Sequence, residues 1–256
     1  MSTLPARTGW DWLKQGMALF RKQPAALTTL LFANVLASIF LSFVPVLGPL
    51  LGPVLIPSFS IAFMQACLMI ENGDRVTPAV LLTGFRRPAL GALCKIGLIY
   101  LGVWMTEMVI VVLVLGPEFF EEIARRQIDA KAAAEPMSTG VLVFFLIALL
   151  NMGMLVMLYF AAPLAYWKRM ATGKALFYSF FAVVRSARVF LVLLAAWFGI
   201  LLALVMVAFT VFGDAALGRV VGMWLIFLFV LLLQCAMYAG YRTIFGKPVD
   251  GTAQPA

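Results

Sequence analysis

Six long apolar stretches divide this chain, and the breaks between them carry sharply sorted charge. Alternate breaks hold fifteen of the nineteen Lys and Arg residues: Arg7, Lys14, Arg21, Lys22, Arg75, Arg86, Arg87, Lys95, Lys168, Arg169, Lys174, Arg185, Arg188, Arg242 and Lys247. The other breaks carry only Arg125, Arg126, Lys131 and Arg219, beside Glu118, Glu121, Glu122, Asp129, Glu135 and Asp214. A soluble fold does not reward such sorting, whereas short basic loops are retained on the cytoplasmic face of a membrane. The pattern predicts an all-α, polytopic membrane helix bundle with six transmembrane helices. Both termini are expected on the cytoplasmic side and the loop at 117–139 on the other.

Composition closes off other classes. With 64% hydrophobic and 12% charged residues, the chain departs from soluble domains, which are about 25% charged. Six helices of ~20 residues plus connections use up the whole length. A single transmembrane domain is therefore expected over 1–246, with 247–256 a disordered tail. The net charge of +8 sits at helix ends, where it orients the chain and meets anionic head groups. No nucleic-acid partner is expected. The chain has no His, which removes the commonest catalytic base and metal ligand. Cys67, Cys94 and Cys235 stand singly within apolar stretches, where packing is the expected role. No cleavable leader is expected, because a second apolar run follows the first without a processing gap.

Between Gln23 and Glu71 lie 47 positions without a charge. A straight helix of that length would reach about 70 Å, over twice the hydrocarbon thickness. Pro45, Pro49 and Pro53, set among glycines, are expected to break it into a hairpin at about 25–45 and 53–71. Further spans are expected near 89–116, 140–166, 189–212 and 219–242. Three cytoplasmic interfacial amphipathic helices are read at about 8–22, 77–86 and 172–184. The first opens on Thr8-Gly-Trp-Asp, a capping-box pattern, and places Trp10, Leu13, Met17 and Phe20 at helical spacing. Thr8 to Thr77 and Thr172 to Tyr241 each span 69 residues. The chain thus reads as a threefold parallel repeat with units of about 8–76, 77–171 and 172–241. The middle unit is lengthened by an acidic outer segment. There Phe119, Phe120, Ile123 and Ile128 among charges predict a short amphipathic helix.

Glu107 lies well inside a span, ~18 Å beyond Lys95 at 1.5 Å per residue. A charge at that depth is costly, so its carboxyl is expected to be protonated or paired. Asn34 and Asn151 reach similar depth and are the candidate partners. The simplest role is an interhelical hydrogen bond; the sharper one is a proton- or substrate-carrying group. Lys14, Arg21, Lys22, Arg86, Arg87, Lys174, Arg185 and Arg188 are expected to form a basic collar for anionic lipids. Ala195, Gly199 and Ala203 predict a helix-packing seam. A Gly-rich phosphate loop, zinc spacing and a nucleophile elbow are all missing, so no catalytic residue, cofactor or metal is expected. Two functional readings follow. One is a non-catalytic integral membrane protein that organises lipid or binds a membrane-protein partner; the alternative is a small-molecule or lipid transporter using Glu107. A close-packed bundle would fit the first, and a polar cavity reaching Glu107 the second.

The run Gly9-Trp10-Asp11-Trp12-Leu13, with Ala18-Leu19-Phe20 and Pro24, resembles a family of uncharacterised proteobacterial inner-membrane proteins. The likeness extends to the segments 44–49 and 173–182 and covers nearly the whole chain. It implies a six-pass protein of the bacterial inner (plasma) membrane. More loosely, it implies kinship with the membrane domains attached to some glycerophosphodiester phosphodiesterases. It brings no catalytic residues with it.

Overall fold

The computed structural model describes residues 4–44, 47–86, 89–116, 121, 125, 140–213 and 216–248. Helix α1 is Thr8–Lys22, α2 Pro24–Ser42 and α3 Leu47–Asn72; a 3-10 helix, Pro78–Phe85, leads into α4, Leu90–Leu115. Then come α5 (Gly140–Tyr159), α6 (Ala161–Trp167), α7 (Thr172–Arg185), α8 (Ala187–Phe212) and α9 (Ala216–Phe245). Among the described residues, 6 stretches are long and apolar enough to cross a membrane, and α5 with α6 supplies one of them, Ile147–Trp167. The break between α5 and α6 has a covalent cause: Pro163 offers no amide to the Tyr159 carbonyl, and its ring crowds that turn. Ser179 Oγ of α7 donates to the Met157 carbonyl beside the break, at 2.5 Å. Gly116 (φ 73°) and Gly213 (φ 64°) end α4 and α8 in the left-handed conformation that glycine adopts without strain.

Two local expectations are corrected. Helix α3 does not wait for the proline segment to end; it begins at Leu47 and runs through Pro53 and Pro57. Those two prolines leave the carbonyls of Pro49 and Pro53 without their usual amide partners. Membrane helices tolerate this where neighbouring helices or a cavity take up the freed groups. The capping box at Thr8 does not form either. The helix starts instead on backbone bonds from Thr8 N to the Pro5 carbonyl (3.0 Å) and from Gly9 N to the Ala6 carbonyl (3.1 Å). The tail from residue 249 on and the outer amphipathic segment, save Glu121 and Arg125, lie outside the described residues.

Packing concentrates at the end that carries the basic breaks. Helix α1 is buried there against α8 and α9 through Gly9, Trp12, Gly16 and Leu19. A Cβ at Gly16 would stand 2.7 Å from the Ala236 amide nitrogen, and one at Gly240 would stand 3.1 Å from the Trp12 ring. The helices therefore meet backbone against backbone, the contact that small residues permit. Trp12 Nε1 donates to Thr243 Oγ1 at 3.1 Å. The expected face is rotated accordingly: Trp10 is 38% exposed, with the Lys14 ammonium 5.7 Å from its ring centroid.

Polar ties reinforce this end. Arg242 of α9 donates to Glu71 of α3 (2.6 Å) and to Gln15 of α1 (2.8 Å), and the Tyr238 hydroxyl reaches the other Glu71 oxygen (2.6 Å). Gln23 holds the α1–α2 corner to the chain after α3. It donates to the Asp74 carbonyl (2.7 Å) and accepts from Val76 N (3.1 Å). At the opposite end Phe40, Phe43, Leu113, Met206 and Val211 are exposed, as residues facing lipid can be. Ala195, Gly199 and Ala203 also face outward rather than forming a seam. Helix α8 packs instead through Val189, Leu193, Trp197 and Leu201, whose larger side chains make more contacts per residue.

Cys67 of α3 and Cys235 of α9, far apart in sequence, place their Sγ atoms 3.6 Å apart. Copper-phenanthroline oxidation of membranes is expected to link these two within one chain and leave Cys94 free, as read by peptide mass spectrometry. A link through Cys94, or none at all, would contradict the α3–α9 register.

Candidate functional site

Helices α4 and α5 bring Glu107 together with one of its two candidate partners. Asn151 Nδ2 donates to Glu107 Oε2 at 2.5 Å, and Glu107 is 6% exposed. Its second oxygen, Oε1, is buried and has no hydrogen-bond partner. Asn34 does not join this pair. Its Oδ1 is likewise buried without a partner, and its side chain lines a different cavity.

That cavity, of about 480 Å³, is walled mainly by α2, α3, α4, α5 and α9. Its volume falls within the range of small-ligand sites. The wall is largely apolar, with a strip of Asn34, Ser38, Ser42, Ser60, Tyr100, Tyr159 and Gln234. Tyr159 donates its hydroxyl proton to Gln234 Oε1, which fixes both side chains. Ser38 and Ser42 donate to carbonyls of their own helix, at Asn34 (3.0 Å) and Ile39 (2.7 Å). Two further pockets, of about 180 and 370 Å³, lie next to it and share wall residues. Ile56 and Tyr100 border the first and second, and Trp104 and Asn151 border the second and third; Glu107 lines the third. Pro53 borders the second pocket, on the stretch of α3 where prolines leave carbonyls without amide partners. The largest of the three can receive a molecule with an apolar body and a few hydrogen-bonding groups, and the ionisable Glu107 borders a different one.

The sequence pointed to Glu107, Asn34 and Asn151 but not to Ser60, Tyr100 or Tyr159. One signal was available: Asn34, Ser38 and Ser42 recur every four residues, a polar stripe on one face of α2. Gln65, the other intramembrane amide, lies off the track and accepts from Trp167 Nε1 at 3.0 Å. Of the basic collar, Lys14, Arg21, Lys22, Arg86, Lys174, Arg185 and Arg188 are exposed at the packed end, and Arg87 lies outside the described residues. Among the described residues no three His, Cys, Asp or Glu side chains gather as a metal site.

Asn151→Leu removes the donor to Glu107 and is expected to cost ~0.6–2 kcal/mol, the range for hydrogen bonds between membrane helices. Glu107→Gln keeps a bond to Asn151 and should cost less. Unfolding in mixed detergent micelles measures both, and a Gln variant less stable than the Leu variant would contradict the pairing.

Over 264 residues the chain is 31% identical to a protein of Burkholderia thailandensis described as a probable inner membrane protein. The match covers 96% of this chain and 94% of that protein. No family model and no solved structure matches, so the looser kinship with glycerophosphodiester phosphodiesterase membrane domains gains no support.

Proposed function

The chain belongs to the family of the Burkholderia thailandensis probable inner membrane protein, and for this multi-pass inner-membrane protein we propose a non-catalytic transport role. The cleft takes up a small amphiphile or lipid and passes it across the membrane, with Glu107 as the ionisable group. One observation carries the reading: Glu107 Oε1 is buried without a partner beside one of three neighbouring pockets that share wall residues. A carboxyl oxygen left unpaired at that depth costs free energy, and a proton or ligand that comes and goes accounts for it.

Orientation follows from the basic asymmetry, which supports cytoplasmic termini and a cleft in the outer half of the membrane. The threefold parallel repeat is supported by the recurring order of a short helix followed by two spans, opening at Thr8, Pro78 and Thr172. On this reading the three short helices form the cytoplasmic interfacial collar.

Vesicles containing the full-length protein and a fluorescent phosphatidylethanolamine in both leaflets test transport. Dithionite bleaches the outer leaflet, so movement shows as bleaching beyond the outer-leaflet share. Wild type is expected to show it and a normally folded Glu107→Gln to lose it. Equal bleaching by the two proteins, or none beyond the outer leaflet with wild type, overturns the proposal.

A further inference from the structure

At the packed end, apart from the cleft, a groove of about 620 Å³ lies between α7, the turn after α6 and the last turn of α9. We infer that it holds the phosphate of an anionic phospholipid, with the upper acyl chain along its aromatic wall. Lys168 and Arg185 line the groove, and among the described residues its lining includes no Asp or Glu. The wall is Phe177, Tyr178 and Phe181 of α7, which are 60%, 46% and 52% exposed. Exposed rings beside cations suit the boundary between hydrocarbon and head groups. The exposure follows from the pattern of α7: Ala175, Ser179 and Val183 are buried at four-residue spacing, so residues 177, 181 and 185 share another face.

Lys168 is positioned by the fold. Its Nζ donates to the Phe245 carbonyl at 3.2 Å and stands 5.3 Å from that ring's centroid. An ammonium has three donors, so it can hold this carbonyl and still reach phosphate oxygens. The next residue, Arg169, has φ +48°, a left-handed conformation uncommon outside glycine, so the turn presenting Lys168 has a defined shape. Between an ammonium and a guanidinium, a phosphate receives charge-assisted hydrogen bonds. Of these groups only Arg185 belonged to the collar expected from sequence. The site stands whether or not the cleft transports.

Native mass spectrometry of the full-length protein in mild detergent tests it, with phosphatidylglycerol and phosphatidylcholine as probes. Wild type is expected to retain phosphatidylglycerol over phosphatidylcholine. Lys168→Ala with Arg185→Ala should weaken that binding about 30-fold, the worth of two interfacial cations. The charge-keeping pair Lys168→Arg with Arg185→Lys should retain it, as should Arg21→Ala with Lys22→Ala, which changes cations outside the groove. Equal loss in both alanine pairs, or no loss in the groove pair, overturns the site. Displacement of the lipid by inorganic phosphate would assign the groove to a soluble phosphate and overturn the lipid claim.

Discussion

The close approach of α1 to α9, with Trp12 laid over Gly240 and Gly16 against Ala236, is the contact on which the bundle depends. Between membrane helices burial from water contributes little, because lipid is as apolar as the partner helix; close packing and hydrogen bonds hold them together. This chain places both at one end. Trp12 is fully buried, and Arg242 binds Glu71 and Gln15 just beyond it. The Arg242–Glu71 pair is itself partly exposed, 34% and 18%, so its separate contribution is modest and its use is to fix register. With α1, α3, α8 and α9 joined there, the opposite end need not close.

That asymmetry relates architecture to chemistry. A bundle packed along its full length would have filled the space that Asn34, Tyr100 and Gln234 line. Here the polar strip runs from α2 to α5 and α9, and Glu107 lies in a separate pocket nearby; the Glu107 Oε1 and the Asn34 Oδ1 both lack partners. Unpaired polar atoms inside a membrane are costly, and natural chains keep them where they act. The prolines of α3 belong to the same picture, since they free backbone carbonyls on the helix that borders two of the cavities.

Much of this was legible in the sequence, and the failures have physical causes. Charge sorting and apolar length place all six spans, because a charge in hydrocarbon is penalised wherever the helices go. Depth arithmetic offered both Asn34 and Asn151 as partners for Glu107, because the rise of a helix is fixed. The same arithmetic could not reject Asn34, since depth says nothing about rotation around the bundle. The apolar spacing of α1 did not show that the helix packs against α8 and α9 through Gly9, Trp12 and Gly16, because close helix contact is made by the smallest residues, which an apolar stripe does not mark. Helix α3 runs through its prolines because a membrane helix without competing water keeps its remaining hydrogen bonds.

The central claim is that the bundle is sealed at its basic end and holds a hydrated cleft at the other, and thiol accessibility tests it most directly. In a background without native cysteines, Ser38→Cys lies in the cleft wall, while Ile39→Cys replaces a 47% exposed residue outside that lining. A membrane-impermeant maleimide needs water and a thiolate to react. The account predicts labelling at 38 from the outer side of the membrane and none at 39. No labelling at 38, or labelling from the basic side, would contradict it.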